Sequence, residues 1–113
     1  MFSSPSYSEW TKIGENVDGD THYVDFERIR KVDGYVYYWM LANFLNPRLG
    51  NMSSKVYSQG DCKLFRIKVL SFSFHKEPMG GGTGDSYSPE NPEWEYPPPD
   101  SVSESILKSV CSR

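Results

Sequence analysis

Two cysteines, two histidines and a few clustered carboxylates carry nearly all the side-chain chemistry this sequence offers. Cys62 stands at the mouth of a strand-like run and Cys111 near the C-terminus, about fifty residues later, a layout that reads as a disulfide stapling a terminal helix onto a sheet. Such a bond implies an oxidising compartment; the alternative is a cytosolic protein with two unpaired thiols. Enzyme chemistry needs a nucleophile with a base, a carboxylate pair or a metal cluster. Besides the many serines, Cys62 is the one residue with nucleophilic character, and its expected fate is the disulfide. No catalytic residue is assigned and no enzyme is expected.

His22 and His75 are the only imidazoles. Each reads first as a surface or strand-end residue; if the two converge on an aromatic wall, they are candidates to hold haem or a transition metal. The expectation is no cofactor and no metal, with haem or another hydrophobic ligand as the alternative. Asp18, Asp20 and Asp25 around His22 suggest a hard-cation loop, but the spacing lacks the further oxygen ligands and distal Glu of an EF-hand, so it reads as an acidic turn. The run Gly80-Gly81-Gly82-Thr83-Gly84 lacks the lysine that grips phosphate in a P-loop and reads as a flexible hairpin or lid.

The elements that position these groups are mostly strands. Eight Tyr, six Phe and three Trp make 15% of a 113-residue chain aromatic, and such rings favour half-buried sheet positions. One domain is expected over residues 9–113, after a flexible N-terminus at 1–8. A net charge of −3 leaves no electrostatic footprint for nucleic acid. No apolar run approaches the roughly 20 residues that span a bilayer. Met1-Phe2-Ser3-Ser4 lacks the basic and long apolar regions of a signal peptide, so with a paired disulfide the expectation is a leader already removed.

Residues Glu9 to Gly14 and Thr21 to Asp25 read as strands. Asp33-Gly34 is suited to a type I′ hairpin turn. Tyr35 to Phe44 is the strongest strand, with Tyr35, Tyr37, Trp39 and Leu41 on one face and Val36, Tyr38, Met40, Ala42 and Phe44 on the other. Both faces are apolar or aromatic, which fits a central strand covered on both sides. The row Tyr35, Tyr37, Trp39 is either core, the expected outcome, or an exposed platform for a partner. An unpaired edge strand offers a further route, to a homodimer or to strand addition.

Asn46-Pro47 and Gly50-Asn51 mark a loop, and Ser53 to Gln59 is weakly β. From Cys62 onward Phe65, Ile67 and Val69 alternate with basic residues, then Leu70, Phe72 and Phe74 alternate with serines. That slip of phase predicts a bulge or bend near Val69-Leu70. Strict alternation puts Cys62 with Arg66 and Lys68, so either the strand starts irregularly or the helix docks on the less obvious face. Lys76 to Pro99 is aperiodic, with Trp94 and Tyr96 expected to anchor it and Pro97-Pro98-Pro99 acting as a stiff spacer. Ser101 and Glu104 fit a capping box that opens a helix over about 101–111, its apolar face made by Val102, Ile106, Leu107 and Val110.

In this order and spacing, several pieces resemble the surface-adhesin protein E family of Gram-negative bacteria. They are Trp10, Tyr23-Val24-Asp25, Val36 to Leu41, Ser53-Ser54-Lys55, Gly60-Asp61-Cys62, Leu70-Ser71, Met79-Gly80-Gly81-Gly82, Trp94, and Leu107 to Cys111. The resemblance implies an α+β fold, a curved antiparallel sheet of about six strands with a C-terminal helix packed on it and tied by a disulfide. It also implies export to the periplasm or outer surface, frequently through a lipoprotein-type leader and hence a lipid anchor, and binding to host matrix or serum proteins. The function expected is therefore a non-catalytic envelope module that meets a protein partner through a sheet face or edge. Candidate binding residues are Tyr35, Tyr37, Trp39, His22 and His75.

Overall fold

A computed structural model of the protein describes residues 9–113; the N-terminal segment 1–8, expected to be flexible, lies outside the described residues. Among the described residues seven strands form one antiparallel sheet: β1 (Trp10–Glu15), β2 (Thr21–Asp25), β3 (Arg30–Val32), β4 (Tyr35–Arg48), β5 (Asn51–Asp61), β6 (Arg66–His75) and β7 (Gly84–Tyr87). Their order is β1-β2-β4-β5-β6-β7, with β3 also on β4. Helix α1 (Val102–Cys111) closes the chain. The α+β sheet-and-helix architecture expected from the sequence is the one observed.

Turn chemistry sets much of this register. Val32 pairs with Tyr35, and the intervening Asp33 and Gly34 both take positive φ (52° and 85°), as a type I′ turn requires. The same device, Leu49 at 51° and Gly50 at 80°, joins β4 to β5. The loop expected from Asn46 onward is thus only two residues long. Pro47 stays inside β4, in the stretch where the β4–β5 register shifts between Asn43 and Arg48; a bulge is where a strand tolerates a residue without an N–H. The weakly β segment 53–59 becomes part of an eleven-residue strand, because β4 and β6 flank it and supply the pairing its own residues signal poorly.

The predicted bulge in β6 is present. Val69 pairs with Ser58 and Ser71 with Tyr57, leaving Leu70 as the extra residue. It places Ile67 and Val69 before it, and Phe72 and Phe74 after it, on one face of the sheet. The difficulty over Cys62 resolves in favour of an irregular start. Residues 62–65 form a turn in which the Asp61 carboxylate accepts from the amides of Lys63 and Leu64 (3.1 Å each) and from Arg66 Nε (2.9 Å), and Phe65 takes φ 54°. These bonds, the Leu64 amide foremost, hold the Asp61 carboxyl below the usual range.

The core lies on that same face. Val24, Val36, Tyr38 and Ile67 meet Ile106, Leu107 and Val110 of α1. Gly60 gives the helix its close approach: a Cβ there would stand 2.9 Å from both Leu107 Cδ1 and Val36 Cγ1. At the helix start the Glu104 amide donates to Ser101 Oγ (3.1 Å), while Glu104 Oε1 accepts from the Asp100 amide (3.1 Å). The expected reach-back to Ser101 therefore lands one residue earlier, where Asp100 turns through φ 61°.

Two expectations for the aperiodic segment need correction. Residues 84–87 form an edge strand on β6. Its side chains are all exposed, so no burial alternation marks it in the sequence. Tyr96 is largely exposed and anchors nothing; the anchor is Trp94 together with a backbone bridge between Glu95 and Ile67 (2.8 Å in both directions).

Candidate functional site

Cys62 and Cys111 form a disulfide with Cα atoms 5.7 Å apart. The bond joins the β5–β6 turn to the last residue of α1, so it closes the helix onto the sheet. With both sulfurs in that bond, neither is a thiolate nucleophile.

The pairing of β4 with β5, and of β5 with β6, puts Tyr35, Tyr37 and Trp39 on the face opposite α1. All three are half-buried, so the row is not core; the hydrophobic core belongs to the alternate residues Val36 and Tyr38. Two rings from elsewhere extend it. Tyr57 stands across from Trp39, with centroids 4.8 Å apart, and lies 6.3 Å from Tyr37. Trp94 stacks on Tyr35 at 5.7 Å. Gln59 Nε2 donates to Tyr37 Oη at 3.1 Å.

Cations frame these rings. Arg66 and Lys68 lie over Trp94 at 4.3 and 4.5 Å, and Arg30 lies 5.8 Å from the Tyr37 centroid, within the range of cation–π attraction. The neighbouring acid Asp61 is buried and bonded to Arg66. An overall acidic chain thus presents an aromatic face edged with positive charge. Sequence inspection finds Tyr35, Tyr37 and Trp39 but misses Tyr57, Trp94, Arg66 and Lys68. Counted from the Leu49-Gly50 turn, Tyr57 would face Ala42; the register shift between Asn43 and Arg48 is what brings it opposite Trp39, and nothing local places Trp94.

The two histidines do not converge. His22 pairs with Ala42, which pairs with Ser54 and then Phe74; His75 pairs with Ser53, then Asn43, then Thr21. Residues facing each other across antiparallel strands share a face, and successive residues alternate. His22 therefore projects on the helix side and His75 on the aromatic side, three strands apart, and one haem or ion between them is not a geometry this sheet offers. Burial lowers the pKa of both. Asn16 Nδ2 lies 3.2 Å from His22 Nε2, and Ser73 Oγ 2.8 Å from His75 Nε2.

Beside His22 the uncovered end of the helix face forms an open groove of about 220 Å³ floored by Met40, Ala42, Phe44, Val56 and Phe74. That is below the roughly 300–1,000 Å³ of ordinary small-molecule sites. The acidic turn is engaged by protein groups: Asp18 and Asp20 pair with Arg48, and Asp20 also accepts from the Leu45 amide. Among the described residues no three His, Cys, Asp or Glu side chains gather to hold a metal ion. The glycine run connects β6 to β7 as a hairpin and rests on the sheet, with the Gly80 amide donating to Ser53 Oγ (2.9 Å) and the Met79 amide to Asn43 Oδ1 (2.7 Å).

Known structures share this architecture. Crystal form II of Haemophilus influenzae protein E superposes with a TM-score of 0.73 at 17% identity, covering 97% of this chain and 92% of that one. The selenomethionine form of the same protein gives 0.73 at 16%, covering 98% and 92%. Protein E from non-typeable Haemophilus influenzae gives 0.66 at 16%, covering 98% and 82%. At these identities the likeness is one of fold. No curated protein matches the sequence. The model of the surface-adhesin protein E family matches residues 10–112, nearly the whole described chain, and the protein belongs to that family.

Proposed function

We propose that this protein is exported to the periplasm or outer surface of a Gram-negative cell and acts there as a non-catalytic adhesive module. It meets a protein partner through the aromatic face of its sheet. The observation that carries this reading is the half-exposed cluster Tyr35, Tyr37, Trp39, Tyr57 and Trp94, framed by Arg30, Arg66 and Lys68, on the side away from the core. Tyr, Trp and Arg are the residues that dominate protein-binding hot spots.

The face is favoured over the edges. β1 is bulged at Ile13 and carries the Lys12–Glu15 pair, and β7 has only four residues; short, bulged or charged edges resist strand addition. Family membership supports an adhesive role and the disulfide supports an oxidising compartment. The groove beside His22 supports at most a fragment-sized apolar ligand, so haemin absorbance should be the same with wild type, His22→Ala and His75→Ala.

The test of the adhesive reading is surface plasmon resonance of the purified protein over immobilised extracellular-matrix preparation and serum proteins. Wild type should bind at least one of these, and Trp39→Ala and Trp94→Ala should each weaken it about tenfold or more, the range of a hot-spot truncation. Tyr96→Ala, in a ring outside the face, should leave binding unchanged. Retained binding in the two folded tryptophan variants would overturn the assignment to this face.

A further inference from the structure

At the far end of the sheet three aliphatic side chains contribute nothing to the core. Val17, in the β1–β2 turn, is fully exposed; Leu49, at the β4–β5 tip, is 97% exposed, and Leu45 is 65% exposed. Single exposed aliphatic residues are ordinary, but these three belong to one laced unit. Leu45 lies so close to Gly19 that a Cβ there would meet its Cδ2 at 2.8 Å, and the Leu45 amide donates to Asp20 Oδ1 at 3.0 Å. Arg48, next to Leu49, pairs with Asp20 and reaches Asp18 at 3.9 Å. Asn16 Oδ1 accepts from the amides of Asp18 and Asp20, 3.0 Å each, and so shapes the first turn.

Leu49 is also in the wrong conformation for its type. It holds φ 51° at the first central position of a two-residue turn, where Asn, Asp or Gly is ordinary and a bulky residue is strained. The equivalent position in the β3–β4 turn is Asp33. A strained, solvated leucine that packs on nothing points to a role outside the fold.

We propose that this tip docks on a lipid surface, with Val17, Leu45 and Leu49 entering the boundary between headgroups and acyl chains of a zwitterionic bilayer. The composition favours lipid over a protein pocket, since Leu and Val are under-represented in protein hot spots. Val17 and Leu49 stand in hairpin turns, and Leu45 lies in the irregular stretch of β4 beside the first of them. Asp18 and Asp20 offset Arg48 with one negative charge to spare. Lys76, whose Nζ would lie 3.6 Å from a Cβ on Gly50, is the flanking cation, and its stem can lie along the apolar surface. With a net charge of −3 the protein has no general attraction to anionic lipid. Association therefore comes from aliphatic burial and is insensitive to salt.

Vesicle flotation tests this, using phosphatidylcholine vesicles with and without phosphatidylglycerol, at low and high salt. Wild type should float with pure phosphatidylcholine, unaffected by salt and without gain from phosphatidylglycerol. Leu49→Asn should lower the partition coefficient about tenfold, the scale of one aliphatic side chain withdrawn from burial, and Val17→Ser/Leu45→Ser/Leu49→Asn should abolish flotation. Leu49→Asn relieves backbone strain, so its melting temperature should not fall and unfolding cannot account for the loss. Trp39→Ala should float like wild type, which separates this site from the adhesive face. No flotation of wild type, or flotation that the triple variant retains, overturns the proposal. Binding that appears only with phosphatidylglycerol and vanishes in salt overturns it also. Self-association lost in Leu49→Asn without any flotation would assign the tip to a second copy of the chain and reject lipid.

Discussion

Breaking the Cys62–Cys111 bond by Cys62→Ser/Cys111→Ser should cost this protein a large part of its stability. The sulfurs close a loop with a sequence separation of 49. In the chain-entropy model a loop of that size frees about 4 kcal/mol of denatured-state entropy at 25 °C when it opens. A chain of 113 residues unfolds with an entropy near 0.24 kcal/mol/K, from about 2.1 cal/mol/K per residue. The melting temperature should therefore fall by roughly 15 °C. The ten residues of α1 are too few to persist alone, and they cover Val24, Val36 and Tyr38. Helix and sheet should consequently melt together, at the lower temperature. Differential scanning calorimetry with far-ultraviolet circular dichroism at 222 nm reads both effects. Dithiothreitol on wild type should reproduce the variant, and alkylation should find blocked sulfurs in native protein that react only after reduction. A fall under about 5 °C would refute the loop-entropy reasoning. A helical signal lost well below the calorimetric transition would refute the joint melting of helix and sheet.

Other perturbations follow from particular contacts. Gly60→Ala drives a methyl into Leu107 and Val36 and should destabilise by about 1–3 kcal/mol through overpacking, read as a lowered urea midpoint. Leu49→Asn should stabilise by about 1 kcal/mol, because Asn accepts the left-handed conformation that Leu resists; an unchanged or lower urea midpoint would remove the argument that this turn is strained. Ser101→Ala deletes the cap on the Glu104 amide and should cost about 1 kcal/mol, with fraying at the start of α1 visible in amide exchange. Burial lowers the pKa of His22 and His75, so the unfolded chain binds protons more readily than the folded one. Stability should be full above about pH 7.5 and decline as pH falls through the unfolded value near 6.5 toward the lower folded values. His22→Gln/His75→Gln should flatten the melting temperature between about pH 7.5 and 5, a window above ordinary carboxylate titration; an unflattened slope would locate the titration elsewhere.

Much of the fold is legible in short stretches of chain. Asp33-Gly34 prescribes its hairpin because few residue pairs suit two successive positive φ values. The phase slip after Val69 prescribes a bulge, because hydrophobic residues on both sides of it must reach the same core. Ser101 and Glu104 mark the start of α1. What escaped such inspection lacks a local cause. β7 pairs through backbone groups while its side chains face water, so its hydrophobic pattern is blank. The loop expected from Asn46 shortened because β4 runs on through Asn46-Pro47 to Arg48, which pairs with Asn51 of β5. Tyr96 was expected to anchor and does not, since one bridge from Glu95 to Ile67 holds that segment.

The candidate site divides in the same way. Sequence by itself determined the alternating aromatic row Tyr35, Tyr37, Trp39, the two sulfurs and a capped amphipathic helix, because periodicity and capping are properties of neighbouring residues. It also named His22 and His75 without saying where they point. Only the tertiary structure decided which face of β4 the helix would cover. The choice fell on Val36 and Tyr38, where Gly60 lets Leu107 approach, and so left the aromatic row half open. Only the register across β2, β4, β5 and β6 set the two imidazoles on opposite faces and brought Tyr57, Trp94, Arg66 and Lys68 to one surface. Face choice and register are decided by contacts between segments far apart in the chain, and no stretch of sequence records such contacts by itself.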